Sequence, residues 1–142
     1  MTDSSTTNLH EEAFVRAFIC GRTKPRMLEL LKKPRRRDSF LELLNGADLN
    51  DGVQHATVIK YSKLEKGCHF EDIIHSRLKK LGAPRECYVF SMLDSLDGTH
   101  MQLIDAIYEA FWCDLGTVVS CIPGHLAYWT MEGPSDEILC HK

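Results

Sequence analysis

Long apolar runs are missing from this chain. No stretch approaches the ~20 consecutive apolar residues that a membrane-spanning helix needs. The first residues carry acids and hydroxyls, not a basic segment followed by an apolar one. That argues against a secretory signal and predicts a cytoplasmic protein with no membrane partner. Closely spaced cysteines are missing too. The six lie at 20, 68, 87, 113, 121 and 140, and no two have the two-to-four-residue spacing of zinc ligands. Cys68-His69 and Cys140-His141 are adjacent, and adjacent side chains diverge. His69 and His75 are six apart on one predicted helix, a poor spacing for a shared ion. The reading is therefore no metal, no cofactor and six free thiols in a reducing compartment. Phosphate loops, dinucleotide fingerprints and zinc-protease helices are absent, and so is Gly-x-Ser-x-Gly. Neither low hydrophobicity nor high net charge is present, which excludes a disordered chain.

What is there is ordinary core material. The chain has 142 residues, 44% of them apolar and 26% charged, enough for one domain over residues 1–142. Within it, residues 1–7 read as a flexible tail, 8–46 as a helical subregion and 47–142 as an α/β core. Asn8 is a candidate cap for a helix over 8–20, where Leu9, Ala13, Phe14, Ala17 and Phe18 recur at helical spacing. Arg26 to Lys33 predicts a second helix stopped by Pro34, and Asp38 or Ser39 starts a third that ends at Asn45-Gly46.

Further on, Ala56 to Tyr61 reads as a short strand and Phe70 to Leu81 as an amphipathic helix. Cys87 to Leu93 is a buried strand between breakers. Thr99-His100-Met101-Gln102 has capping-box spacing and predicts a helix running to Leu115. Thr117 to Ile122 and His125 to Met131 flank Pro123-Gly124 as a hairpin, and Glu137 to Cys140 reads as an edge strand. Strands alternating with helices imply parallel pairing. The expected fold is α/β or α+β. It has a helical N-terminal third, then a mixed sheet of three to five strands with packed helices and a C-terminal β-hairpin.

Ser95-Leu96-Asp97-Gly98-Thr99 follows the buried strand. It resembles the Asp-x-Asp-Gly-Thr motif of haloacid-dehalogenase-like phosphatases over five residues. Ser95 stands where that family's nucleophilic aspartate belongs, and only 43 residues follow Thr99. The assignment is rejected in favour of a tight turn closed by Asp97-Gly98.

The hairpin carries the chemistry considered next. With a two-residue turn, Val118 faces Trp129, Val119 faces Tyr128 and Ser120 faces Ala127. Cys121 then faces Leu126 and Ile122 faces His125. Both faces are apolar, so the hairpin is either central or at an interface. Cys121 with His125 suggests a thiol nucleophile and its base, but this register points them to opposite faces. A histidine at 55, 69, 75 or 100 is the alternative base, with Thr117 and Ser120 positioning substrate. Tyr128 and Trp129 are the candidate interface anchors.

Charge is uneven. It is +3 over residues 1–46, +1 over 47–93 and −7 over 94–142. Lys32, Lys33, Arg35, Arg36 and Arg37 form a run suited to phosphates, although no aromatic residue interleaves it for base stacking. Acids of the C-terminal segment are the simplest expected counter-charges. The leading expectation is a small interaction or regulatory module that binds a protein partner or itself. The alternatives are a cysteine-dependent enzyme using Cys121 and a polyanion or nucleic-acid binder using residues 32–37.

Overall fold

The computed structural model describes residues 2–47, 51–60, 70–113, 115–131 and 136–142. Three helices come first: α1 (Thr2–Phe18), α2 (Thr23–Leu31) and α3 (Arg37–Asn45), with a 3-10 turn at Pro34–Arg36 before α3. Then follow β1 (Ala56–Lys60), α4 (Phe70–Lys80), β2 (Glu86–Ser91), β3 (Thr99–Gln102), α5 (Leu103–Trp112), β4 (Thr117–Ile122), β5 (Leu126–Thr130) and β6 (Asp136–His141). This is an α+β architecture with its helices weighted to the N-terminal side and its strands to the C-terminal side.

Helix α1 begins inside the segment expected as a tail, so Asn8 lies within the helix and does not cap it. Pro34 separates α2 from α3 as expected. It also opens the 3-10 turn, because a proline at the first position of a turn loses no hydrogen bond.

The strands form one six-stranded sheet in the order β1-β6-β5-β4-β2-β3, antiparallel at every pairing. Parallel pairing, a mixed sheet and at most five strands were expected, and all three are corrected here. The physical cause is β3. Thr99 to Gln102 form strand pairs with Val89 to Glu86 and do not open a helix. Helix α5 starts only at Leu103, and no side chain caps it. That extra reversal turns the chain before α5, so the helix delivers β4 antiparallel to β2. β1 and β2 do run the same way, but β6, β5 and β4 lie between them. β6 is likewise internal, held between β1 and β5, and not an edge.

Alternation along the strands sends side chains into two cores. On one face Tyr88, Phe90, Val118, Trp129 and Ile138 meet Phe14, Phe18, Met27, Phe40 and Leu44 of α1–α3. On the other, Val89, Val119, Cys121, Leu126 and Tyr128 meet Phe70, Ile74, Leu78, Leu103 and Ile107 of α4 and α5. Each such side chain removed from water stabilises the fold by roughly 1.5–3 kcal/mol. The 8–46 segment therefore shares its core with the sheet, and every residue of β5 is buried.

Candidate functional site

The hairpin register matches expectation from Thr117↔Thr130 to Ser120↔Ala127. It then shifts, with Ile122 opposite Leu126 and Cys121 bulged. A backbone bond from His125 N to Ile122 O closes the turn, with Gly124 at φ +74°. Proline then glycine at the two central positions is the sequence that such a turn favours. A bulge re-aims side chains, but not here into a dyad. Cys121 is buried and its Sγ points at Val119 O, while His125 is exposed. Burial pushes the Cys121 thiol well above its ordinary value, with Cys87 adding to the shift and Lys79 opposing it. A nucleophilic thiol needs the opposite shift and access to solvent. The Cys121–His125 candidate is therefore corrected: Cys121 is a core residue.

Burial also pushes Cys87 and Cys140 up to about 12. These protonated thiols favour the fold below their ordinary value near 9, and that contribution is lost as pH climbs toward the folded value. Stability to urea is expected to fall as pH rises between about 9 and 12. Labelling at neutral pH should modify the partly exposed Cys20 and Cys113 before Cys87, Cys121 and Cys140. Early labelling of Cys121, read by peptide mass spectrometry, would contradict this assignment. Cys68 and His69 lie outside the described residues.

Tyr128 and Trp129 are also corrected as interface anchors. Both are fully buried. The Tyr128 hydroxyl donates to Glu137, and Trp129 packs edge-on against Phe14 with ring centroids 5.5 Å apart. The two-faced apolar ribbon is central because helices cover both sides of the sheet.

The basic run divides. Lys32, Lys33, Arg35 and Arg36 are exposed on the end of α2 and the 3-10 turn. Arg37 turns inward. Its Nη1 and Nη2 donate to the two Glu11 carboxylate oxygens at 2.5 and 2.8 Å. Its Nε and Nη2 donate to Asp97 at 3.0 and 2.7 Å, and its guanidinium lies 5.4 Å over the Phe40 ring. Burial opposes the charge, but hydrogen bonds and the charges of Asp97 and Glu11 outweigh it and hold Arg37 protonated. Arg37 thus ties α1, α3 and the β2–β3 turn together. Of the C-terminal acids, Asp97 alone forms an ion pair with this run among the described residues.

Sequence reasoning missed the rest of this cluster. Glu11 is only 1% exposed and also accepts a hydrogen bond from the Tyr88 hydroxyl at 2.5 Å. Asp97 accepts from Ser91 N at 3.0 Å, which closes the Asp97-Gly98 turn that the sequence did predict. Cross-strand pairing sets His100, Tyr88 and Ser120 side by side on the α1 face, where His10 covers them. His10 Nδ1 is 2.8 Å from Ser120 Oγ. Burial, then His100, lowers the His10 pKa. A serine and a histidine in contact are the parts of a nucleophile and base, but Ser120 is 1% exposed and its oxygen is sealed from solvent. One signal was available. Glu11, Phe14, Val15 and Phe18 share a helical face, so Glu11 is an acid set in an apolar stripe and needs a buried partner.

Two open recesses flank the run. The first holds about 480 Å³ above Glu11, Arg37, Tyr88 and Asp97, with Lys32 and Lys33 at its rim. The second holds about 560 Å³ between Pro25, Arg26, Glu29, Leu30, Lys33 and Arg36. Among the described residues, no group of three or more His, Cys, Asp or Glu is placed to hold a metal, and no helix is long and apolar enough to cross a membrane. The class these features define is an α+β protein with a six-stranded antiparallel sheet, a buried ion-pair cluster and a cationic rim. Comparison of the chain with known families, curated proteins and solved structures finds no match.

Proposed function

We propose that this chain binds a phosphate-bearing polyanion, a nucleic-acid backbone, through the exposed face of α2 and the 3-10 turn. The observation that carries the reading is the concentration of exposed cations on α2 and the 3-10 turn, three of which, Arg26, Lys33 and Arg36, line an open groove. Arg22, Arg26, Lys32, Lys33, Arg35 and Arg36, all exposed, fall within one stretch that holds a single acid, Glu29. Among the described residues, the only ion pair on this face joins Lys33 to Glu29, at 3.9 Å and largely exposed. Exposed pairs of that kind contribute little. Arginine forks at 35 and 36 suit bidentate contact with phosphate oxygens. No aromatic ring lines the groove, so binding should follow backbone charge and not base identity.

Four phosphate contacts, one for each exposed cation of the run, set the expected salt dependence. Affinity for a duplex oligonucleotide should fall about 100-fold between about 50 and 200 mM salt. Arg35→Glu with Arg36→Glu should flatten the salt slope by roughly two in log–log terms. Fluorescence anisotropy across a salt series measures both. Binding that survives charge reversal unchanged, or no binding at the lowest salt, would remove the proposal. Binding that the reversal abolishes for duplex and single strand alike supports recognition of the phosphate backbone.

A further inference from the structure

Helix α5 buries Leu103, Ala106, Ile107 and Ala110 and leaves a second face outward. Asp105, Tyr108, Glu109 and Trp112 are all exposed, at i, i+3, i+4 and i+7, so they share that face. The helix carries no basic residue. Trp112 is 70% exposed, an unusual position for the largest apolar side chain. Yet its ring is not free to turn. Its Nε1 donates to Glu71 at 2.6 Å, and Glu71 is itself buried at the start of α4. Phe111 stacks edge-on beside it at 5.1 Å, and Phe70 backs Phe111 at 5.0 Å. A buried carboxylate and two aromatic rings therefore hold an exposed indole in one orientation.

Among the described residues, the surroundings are acidic. Tyr108 has a raised pKa, from desolvation first and then from Asp72 and Glu71, which places those carboxylates near its ring. The basic residues of α4, Arg77, Lys79 and Lys80, lie in its last turn, at the other end from Glu71 and Asp72. Fixed aromatic faces ringed by carboxylates attract cations, above all arginine. The chain carries a matching surface. The groove of Pro25, Arg26, Glu29, Leu30, Lys33 and Arg36 offers guanidinium groups for the indole face and an apolar wall at Pro25 and Leu30. The two surfaces belong to helices on opposite faces of the sheet, so one molecule cannot close them on each other.

We propose that the Trp112 face of α5 docks into the basic groove of α2 and the 3-10 turn on a second copy of this chain. The contact is heterologous, because the two surfaces lie on opposite sides of the sheet and cannot both meet the same partner. It builds open chains or rings and not a closed two-fold dimer. It uses Arg26, Lys33 and Arg36, so a bound polyanion competes with it, but the self-contact itself needs no polyanion.

Sedimentation velocity across protein concentration and salt tests this. The wild type is expected to associate at low salt and dissociate as salt rises. Asp105→Lys with Glu109→Lys should be monomeric, and so should Arg26→Glu with Arg36→Glu. Mixing those two variants should restore association, because the intact face of each meets the intact face of the other. Trp112→Ala, checked for folding by circular dichroism, should also be monomeric. A wild type that stays monomeric, an α5 variant that associates like the wild type, or a mixture that stays monomeric would overturn the assignment. Oligonucleotide binding by the α5 variants separates the two proposals. If binding persists while association is absent from the wild type, the self-contact alone fails. If association behaves as expected and no oligonucleotide binds, polyanion recognition alone fails.

Discussion

Arg37→Ala is expected to destabilise the fold by about 3 kcal/mol, the lower end of the cost of breaking a buried ion pair. Glu11 is 1% exposed and loses both of its arginine bonds, keeping only the Tyr88 hydroxyl among the described residues. A buried carboxylate without its counter-ion carries most of the loss. The side chains of Arg37 and Asp97 are 28% and 19% exposed, so water recovers part of their solvation and keeps the cost from the top of the range. The melting temperature should drop by about 10 °C for a chain of this length. Arg35→Ala and Arg36→Ala should stay within about 0.5 kcal/mol of wild type, since both side chains are exposed. Glu11→Gln combined with Arg37→Met should lose less than the two single losses added together, which a double-mutant cycle reads directly. An Arg37→Ala variant that melts like the wild type but binds polyanions poorly would return Arg37 to the binding face.

Trp129→Ala carries the other large effect, about 3–5 kcal/mol. Trp129 lies in β5, a central strand with no exposed residue, and packs against Phe14 among the residues of the first core. Deleting the indole leaves a cavity bounded by α1 and the sheet, neither of which can move alone. Trp129→Phe should cost much less, because it keeps an aromatic ring. Nε1 also has no hydrogen-bond partner among the described residues, so its removal breaks no bond. Urea unfolding followed by circular dichroism gives both values. A Trp129→Ala variant of unchanged stability but altered self-association would reinstate it as an interface residue.

The local signals that proved readable share a cause. Pro34, Asn45-Gly46 and Pro123-Gly124 mark breaks, and backbone sterics act within a few residues whatever surrounds them. Strand pairing from Thr117 to Ser120 followed from the turn for the same reason. Capping-box spacing at Thr99 misled, because Thr99 Oγ1 donates to Leu96 O within the turn while the backbone pairs with β2. Ladder bonds to a strand already buried outweigh a cap worth about 1 kcal/mol.

Site residues were less legible than the fold. Lys32, Lys33, Arg35, Arg36 and Arg37 read alike as a run, and only α1 and the β2–β3 turn, far off in sequence, separate Arg37 from its neighbours. Trp112 carries no expectation from the sequence, and Trp129 is the candidate interface anchor. Their fates are opposite, one largely exposed and one sealed, because α5 has one covered face and β5 has two.

From composition and periodicity alone came an apolar content sufficient for a core, the breaks between most elements, the C-terminal hairpin and the uneven charge. Those depend on interactions between residues close in sequence. Strand order, antiparallel direction, the burial of Cys121, Tyr128 and Trp129, and the pairing of Arg37 with Glu11 and Asp97 were decided only by tertiary packing. Each joins residues tens of positions apart, and no local pattern encodes which distant surface will cover a given side chain.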